Sequence, residues 1–335
     1  MQAKRCFRAL PAAVILIALA VLILFVPAGE VLPAARNAYY IGEGLPPYRF
    51  GARMYGLVLA IGAAVACFRL LTEAGKQGLR FSALALALGL LCSRLLFCLV
   101  CLNLYMPETG GAGSALRLFD GGLSVLGGYL GALLAVWIGR RSPRAQEERS
   151  GLAFALPVIV CFARFAEEWS GGGLGMSVDT AGVFAVAERF GAKLCVRRIE
   201  LLAAALIYIA LLVYRAKKRL SGSRLLAASC FLFGALQLLL ESLRADRHMI
   251  WGFVKAEQVL SLLLSTGALL WALKGDRRRQ AFSVLAGVLV AGVVFGLEKA
   301  LDRLNVSALL LYAIFAILIV GYIVFGYRMT HQKEE

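Results

Sequence analysis

The sequence predicts an all-α fold: a polytopic membrane helix bundle of about ten spans. The first supporting observation is composition, because 61% of the 335 residues are hydrophobic and 17% are charged, whereas soluble domains are about 45–50% apolar and about 25% charged. The apolar excess is concentrated in separate blocks of roughly 18–25 residues, the length that crosses a bilayer as a helix. The second observation is that basic residues form short clusters between these blocks, as in cytoplasmic loops.

Ten apolar blocks define the predicted spans in order. They cover about residues 10–27, 54–72, 82–104, 121–139, 151–169, 199–214, 224–242, 258–273, 281–297 and 307–326. Lys4, Arg5 and Arg8 precede the first span, which predicts a cytoplasmic N-terminus. The basic clusters at 140–149, 215–224 and 274–279 then fall on the same side. An even number of spans also predicts a cytoplasmic C-terminus. From the apolar blocks and the distribution of basic residues together, we expect a multi-pass protein of a bacterial inner membrane.

The net charge of +16 does not indicate nucleic-acid binding, because the basic residues are divided among short loops and form no extended basic face. Cys98 and Cys101 form a CxxC pair inside an apolar block, without a second pair or nearby histidines. A metal or redox site needs such partners. We therefore expect no metal, no cofactor and no nucleic-acid partner.

Three segments leave alternatives open. The first span has a basic start and small residues near Pro27–Gly29, so it is either an uncleaved anchor, which its length favours, or a signal peptide. The loops at 28–53 and 170–198 are too long for tight turns, and we expect short interfacial helices or a lid there. The last two spans contain almost no ionisable residue before Glu298, which predicts packing that faces lipid.

Ionisable residues inside the spans lie mostly at one predicted depth, near the outer ends of five helices. A charge at the bilayer centre costs roughly 2.5 kcal/mol or more, so such residues are rare and usually functional. Arg69 and Glu73 are an exception, because they lie near a cytoplasmic end, where we expect a local ion pair or side chains that snorkel to the interface. The outer layer consists of Arg94, Asp120, Arg164, Glu167, Glu168, Glu200, Gln237, Glu241 and Arg244.

The spacing within this layer places its members on shared helix faces. Arg164 precedes Glu167 by three positions, and Gln237 precedes Glu241 by four, so each pair lies on one face of its helix. Such faces should point into the bundle, where polar groups satisfy one another. Two interpretations remain open at this point: structural ion pairs between helices, or a site for an anionic lipid headgroup, since arginine binds phosphate with a planar, bidentate fork.

Glycines are concentrated at the start of the fourth span, at positions 121, 122, 127, 128 and 131. The spacing from Gly127 to Gly131 is that of a GxxxG motif, which lets two helices approach closely. Small residues would also let backbone N–H groups approach an anion. Packing and anion binding are both compatible with this pattern.

The sequence resembles the bacterial prolipoprotein diacylglyceryl transferases over about residues 50–274. Two stretches near the start carry the resemblance: Met54–Leu57, and Ser93-Arg94-Leu95. The longest is Phe119-Asp120-Gly121-Gly122-Leu123-Ser124-Val125-Leu126-Gly127-Gly128, which is similar to the family's glycine-rich helix start. In Ala163-Arg164-Phe165, the arginine stands at the position of the family's signature arginine. Glu200 stands at the family's Tyr-Glu position. Gly234–Arg244 resembles a family helix, and Glu257–Ser261 resembles the start of its final core helix.

The resemblance implies an enzyme that moves the diacylglyceryl group of phosphatidylglycerol to the lipobox cysteine of a prolipoprotein signal peptide. The reaction would take place at the outer face of the inner membrane. A base must then deprotonate the thiol, and positive charge must stabilise the leaving phosphate. The catalytic residues that this implies are Glu167 or Glu241 as the base, and Arg164 as a source of positive charge. The implied substrate-binding residues are Tyr55, Arg94, Asp120, Gly121, Gly122, Gly127, Gly128, Glu200, Gln237 and Arg244.

Four positions depart from the family pattern. Leu126 stands where the family has a histidine, and Gln237 stands where it has an arginine. Glu167 replaces a signature asparagine, and Phe233 replaces a tyrosine. These departures motivate an alternative function, a non-catalytic relative that binds phospholipid or lipoprotein. His248, in an outer loop, is a candidate replacement for the missing histidine. A small-solute transporter has little support, because no internal repeat is evident.

The resemblance also predicts the domain organisation. Residues 50–274 are expected to form a seven-helix transferase-like core. Residues 1–49 would supply an anchor span and an outer segment, and residues 275–335 would add two further spans and a cytoplasmic tail. The expected partners are phosphatidylglycerol, other membrane lipids and lipobox signal peptides.

Overall fold

A computed structural model describes residues 50–100, 122–169, 172–188, 191–217, 221–245, 250–251, 254–303 and 307–331. Within these residues the chain forms nine α-helices, seven of which are long and apolar enough to cross a membrane. The predicted all-α, polytopic membrane bundle is therefore confirmed. The predicted first span, the loop at 28–49 and the candidates Asp120, Gly121 and His248 lie outside the described residues.

The nine helices correspond in order to the second to tenth predicted spans. They are α1 (Phe50–Ala74), α2 (Gly78–Val100), α3 (Val125–Ile138), α4 (Ala145–Ala166), α5 (Val196–Lys217), α6 (Gly222–Leu243), α7 (Ala256–Ala272), α8 (Arg277–Arg303) and α9 (Ala308–His331). Two are short: α3 has 14 residues and α7 has 17. At the helical rise α3 is only about 21 Å long, because the residues before it, from Gly122 to Ser124, are not helical.

Helix packing places α4 and α6 at the centre of the described bundle. Helix α4 packs on α1, α5 and α6, helix α2 packs on α3, and α6 packs on α7. Aromatic side chains fill this core: Tyr129 of α3 stacks on Phe233 of α6, with ring centroids 4.2 Å apart. Phe154 of α4 is fully buried. The central position of α4 and α6 explains why their polar C-terminal residues meet inside the protein.

The predicted GxxxG contact is a helix–helix contact. A Cβ atom on Gly127 would lie 2.5 Å from the Cys92 carbonyl oxygen, and one on Gly131 would overlap the Leu88 carbonyl of α2. The backbone N–H of Gly127 is already bonded to Ser124 Oγ. Packing, rather than anion binding through these N–H groups, therefore accounts for the glycines facing α2.

Gly131→Ala is expected to destabilise the protein, because the added methyl group pushes α3 away from α2. Overpacking of this kind typically costs about 1–3 kcal/mol. Gly128→Ala is the matched control, since a Cβ there meets nothing within 4 Å. Thermal unfolding of the purified protein in detergent measures both variants. Equal melting temperatures for the two variants would contradict the close α2–α3 approach.

The two C-terminal helices pack on the bundle along one face and leave the other exposed. Phe315, Ile319 and Tyr322 of α9 are buried, whereas Leu309 and Ile317 are exposed. Polar contacts support the docking, because Gln258 of α7 donates to Glu298 of α8 at 2.6 Å. The expectation of lipid-facing packing therefore holds for one face only.

Residues 172–195 correct the prediction of interfacial helices. They form an antiparallel sheet in the order β1–β3–β2, with β1 at Leu174–Val178, β2 at Ala185–Glu188 and β3 at Gly191–Cys195. Glycines at 173, 175, 182 and 191 disfavour helix in this segment. The free edge of β1 pairs with the end of α6, where Gly175 bridges to Arg244. A second, two-stranded sheet joins β4 (Ile250–Trp251) to β5 (Val254–Lys255) just before α7.

The predicted local pair at the opposite end of the bundle is confirmed. Arg69 Nη1 lies 2.8 Å from Glu73 Oε1, and Arg215 of α5 contacts the same carboxylate. Both guanidinium groups also lie over the ring of Phe154. We call this end, which carries the loops at 139–144 and 273–276, the basic end. The opposite end, where α4 and α6 finish, is the polar end.

Candidate functional site

A buried group of charged and amide side chains occupies the polar end of the bundle. We call it the polar cluster; all its members are buried. It comprises Arg164, Glu167, Glu200, Gln237, Glu241, Arg244, Lys255 and Glu257. The chain brings them together because α4 and α6 end at this level while α5 and α7 begin there. Six of the eight were candidates from the sequence.

Glu200 is the centre of the polar cluster. Its Oε2 lies 2.7 Å from Arg164 Nε and 3.0 Å from Arg244 Nη1, and its Oε1 accepts a hydrogen bond of 3.1 Å from Gln237. The carboxylate therefore joins α4, α5 and α6 and is only 2% exposed. A buried carboxylate is tolerated when its oxygens are satisfied in this way.

Glu167 joins the same two arginines from the other side. It pairs with Arg164, three positions earlier in the chain, as the helical spacing predicted. Its contact with Arg244 is longer, at 3.6 Å between Nη2 and Oε1. The two guanidinium groups thus lie between two carboxylates, and the Arg244–Glu167 contact is longer than the contacts of Glu200 with Arg164 and Arg244.

Glu241 differs from the other carboxylates of the polar cluster. Within the described part of the chain, its side chain has a single hydrogen bond, a long one of 3.5 Å from Gln237 Nε2. It is nevertheless 4% exposed. Gln237 therefore connects Glu200 to Glu241 without supplying a charge. A buried carboxylate with a weak partner is suited to accept a proton.

Lys255 and Glu257 were not among the sequence candidates. Lys255 donates three hydrogen bonds to the carbonyls that end α6, at 2.6 Å to Glu241, 3.3 Å to Ser242 and 2.6 Å to Arg244. A cation at this position also suits the negative end of the helix dipole. Both residues immediately precede the eighth predicted span, on the side of the polar layer. Glu257 entered the sequence analysis only within the Glu257–Ser261 resemblance, and the position of Lys255 was a signal left unused.

Arg94 lies beside the start of α3. Its Nη1 donates to the Gly122 carbonyl at 3.2 Å, and its guanidinium lies 5.9 Å from the centroid of the Phe97 ring. Gly122 has a φ of +78°, and a Cβ there would overlap Phe97, so this position requires glycine. Ser124 connects this region to the polar cluster through a 3.0 Å hydrogen bond to Glu257.

Glu168 anchors the three-stranded sheet next to the polar cluster. It accepts from Arg197 Nη2 at 2.9 Å and from Arg198 Nε at 2.6 Å. Burial favours the neutral carboxyl, but the hydrogen bonds from Arg198 and Arg197 outweigh it and lower the pKa of Glu168 to about 2. Arg197 also donates to the Gly172 carbonyl at 2.6 Å, which fixes the chain entering β1. Sequence analysis missed Arg197, although it precedes Glu200 by three positions.

The depressed pKa of Glu168 predicts a pH-dependent contribution to stability. The ordinary value is 4.5 and the folded value is about 2. The contribution is therefore complete above about pH 4.5 and is lost as the pH falls towards 2. Glu168→Gln should melt below the wild type at pH 7 and converge with it near pH 2. Glu147→Gln, at an exposed carboxylate, is the matched control, and an unchanged gap between Glu168→Gln and wild type at pH 2 would contradict the assignment.

An apolar cavity opens onto the polar cluster, and its empty space, together with the open solvent at its mouth, comes to about 1040 Å³. It lies between α1, α2, α3 and α4 and extends along α4 from Glu167 to Leu152. Fifteen residues of helix measure about 22 Å. Ser93, Ser124 and Tyr55 line its polar part, and Ala63, Leu86 and Val160 are among the side chains of its apolar part. The cavity thus carries Glu167 and hydroxyl groups at the polar end of the bundle, and its remaining walls are mostly apolar, with Cys67 and Ser82 near the far end.

The remaining sequence candidates divide between this cavity and the helix packing. Tyr55 and Gly128 line the cavity, while Gly127 packs against α2. Leu126 is buried and faces a different apolar groove between α3, α6 and α7. Leu126 stands where the resemblance implies a histidine. The groove that it faces is lined by further leucines, including Leu130 and Leu264.

Comparison with known proteins agrees with the motifs. Among curated proteins, none matches this chain. A family model described as prolipoprotein diacylglyceryl transferase matches residues 47–273. The match covers about two thirds of the chain and includes all the residues of the polar cluster and of the apolar cavity. The chain is therefore a multi-pass membrane protein that belongs to the prolipoprotein diacylglyceryl transferase family.

Proposed function

We propose that this protein transfers diacylglyceryl from phosphatidylglycerol to the thiol of a lipobox cysteine at the outer face of a bacterial inner membrane. The observation that carries the proposal is the continuity of the apolar cavity with the polar cluster through Glu167. A phospholipid has the same division, with acyl chains joined to a charged headgroup. The basic end, opposite this site, would face the cytoplasm under the positive-inside rule.

The apolar cavity fits the acyl part of the substrate. Its length of about 22 Å along α4 exceeds the roughly 15 Å that one leaflet contributes to a hydrocarbon core of roughly 30 Å. Its walls are mostly alanine, leucine and valine side chains, and among the described residues Glu167 is the charged one that lines it. An acyl chain in this cavity would place the glycerol backbone beside Ser93, Ser124 and Tyr55.

The polar cluster fits the phosphate part of the substrate. Arg164 and Arg244 are held with both guanidinium planes between carboxylates, so their positions are fixed before a lipid binds. Because the Arg244–Glu167 contact is the longest, at 3.6 Å, Arg244 is the arginine that a phosphate would most readily recruit. A preorganised cation stabilises the charge that develops on a leaving phosphate.

The proposed reaction is a displacement at the glycerol carbon that carries the phosphate ester. The thiol gives its proton to Glu241, and the thiolate sulfur forms a C–S bond at this carbon. The C–O bond to phosphate breaks with its electron pair, and glycerol-1-phosphate leaves. Glu241 then returns the proton to the leaving phosphate or to water. Arg164 and Arg244 remain charged throughout.

The test uses the purified full-length protein, labelled phosphatidylglycerol and a synthetic lipobox peptide. A thioether-linked diacylglyceryl peptide is expected by mass spectrometry, together with one glycerol-1-phosphate per product. A peptide with serine in place of cysteine should give no product, and phosphatidylethanolamine should not replace the donor. Absence of product, with an active family enzyme alongside, would contradict the proposal.

The second candidate function is a non-catalytic protein that binds phospholipid or lipoprotein. The observations that favour it are Gln237, which is neutral and connects Glu200 with Glu241, and Leu126, which lies in an apolar groove. On this view the arginines still bind a phosphate, and Arg164→Ala should weaken phospholipid binding. Retained binding of phosphatidylglycerol without turnover would support this function, and any turnover above background would eliminate it.

A further inference from the structure

A second cavity lies at the basic end of the bundle, away from the polar cluster. It contains about 1400 Å³ of empty space between α5, α6, α7 and α9. Phe231, Leu232, Leu269 and Ile323 are among its apolar walls. It shares no lining residue with the apolar cavity next to Glu167. Its α9 wall lies beyond residue 273, where the family match ends.

Two arginines lie at the rim of this basic-end cavity. Arg224 is in the first turn of α6 and is exposed, and Arg279 is in the first turn of α8. Arg279 is held in place on two sides, because its Nε lies 3.2 Å from Asp276 Oδ2 and its Nη1 donates to the Met329 carbonyl at 3.3 Å. The hydroxyl-bearing side chains of Tyr214, Tyr327 and Thr330 also line the cavity.

The surroundings of this rim are positively charged. Lys274 lies in the turn that leads into α8, and Arg277 and Arg278 are the first residues of the helix. The acidic residue of this segment is Asp276. The cavity therefore combines apolar walls with a cationic mouth.

We propose that the basic-end cavity binds one anionic glycerophospholipid of the leaflet on that side. One acyl chain would lie among the apolar walls, and the phosphate would bind Arg224 and Arg279. Basic pockets between transmembrane helices on the cytoplasmic side commonly bind anionic lipid headgroups. A soluble phosphate compound would leave the apolar walls uncovered, and a zwitterionic lipid would not offset the charge at the mouth.

The proposed lipid has a structural consequence. It would fill the space that α9 and α5 leave between them, and so would hold the C-terminal pair of helices against α6 and α7. The lipid is bound and not consumed, because among the described residues no carboxylate lines this cavity that could activate its hydroxyl groups as nucleophiles. The inference is thus independent of the transfer reaction proposed for the polar end.

The experiment compares lipid binding by full-length variants in detergent. Native mass spectrometry would count lipids bound after titration with phosphatidylglycerol or phosphatidylcholine. The double variant Arg224→Gln/Arg279→Gln is expected to lose one phosphatidylglycerol and to bind it at least about ten-fold more weakly. Arg140→Gln is the matched control, because Arg140 is exposed at the same end and lies over Trp137, outside the cavity.

A second variant keeps the test independent of the arginines' structural contacts. Ala228→Phe fills the cavity from α6 and is expected to abolish the same binding event while every rim charge remains. Loss of one bound phosphatidylglycerol in both the double variant and Ala228→Phe supports the proposal. Binding that is unchanged in Ala228→Phe, or a wild type that binds phosphatidylcholine equally well, would overturn it.

Discussion

Glu241→Gln is expected to lower the rate of diacylglyceryl transfer about 100-fold or more, the usual scale for loss of a general base. The glutamine retains the size and the hydrogen-bonding capacity of the side chain but cannot accept the thiol proton. Glu241 is chosen over Glu167 because it lacks an ion pair among the described residues, whereas Glu167 contacts both Arg164 and Arg244. The measurement is the initial rate of lipidation of a lipobox peptide by the purified protein.

The control for this prediction is Glu148→Gln. Glu148 is also a buried glutamate, 5% exposed, but it lies near the basic end and accepts a hydrogen bond from Ser142. The control should transfer at close to the wild-type rate. Glu241→Gln should bind phosphatidylglycerol normally, since it removes no cation. If Glu241→Gln transferred at a rate within about three-fold of the wild type, Glu241 would be eliminated as the base, because loss of a general base should cost about 100-fold or more.

Glu200→Ala is expected to cause the largest loss of stability, about 3–5 kcal/mol, because breaking a buried ion pair leaves uncompensated charge. Its carboxylate contacts Arg164, Arg244 and Gln237, so the substitution affects α4, α5 and α6 together. Transfer activity should also be lost, since both guanidinium groups lose their fixed positions. Thermal or denaturant unfolding in detergent would measure the first effect and peptide lipidation the second.

Glu73→Ala is the matched control for Glu200→Ala. Glu73 also contacts two arginines, Arg69 and Arg215, but at the basic end and with greater exposure of all three side chains. Exposed ion pairs typically contribute about 0–1 kcal/mol, so this variant should be destabilised far less. Equal losses of stability in the two variants would show that burial in the polar cluster has no special energetic role.

Much of the fold was accessible from the sequence, since hydrophobic length and charge distribution are local properties. Helices α1–α9 follow the predicted spans in order, and the local pair of Arg69 with Glu73 follows from helical spacing. The prediction of interfacial helices was wrong at residues 172–195, where strands form; the alternative of a lid stays a prediction. The strands pair with one another, but the position of the sheet also involves a long-range contact, the bridge of Gly175 to Arg244, which no local pattern contains.

The sequence by itself determined that polar residues of several helices share one depth, because helical period and span length fix both the face and the level of a side chain. Only the tertiary structure decided their partners. Glu200 is the centre of the cluster, Lys255 binds the end of α6, and Glu241 has, among the described residues, one weak side-chain hydrogen bond. The reason is physical: a helix rotates and tilts to suit the volumes packed against it, and a rotation of a few tens of degrees changes which side chains meet.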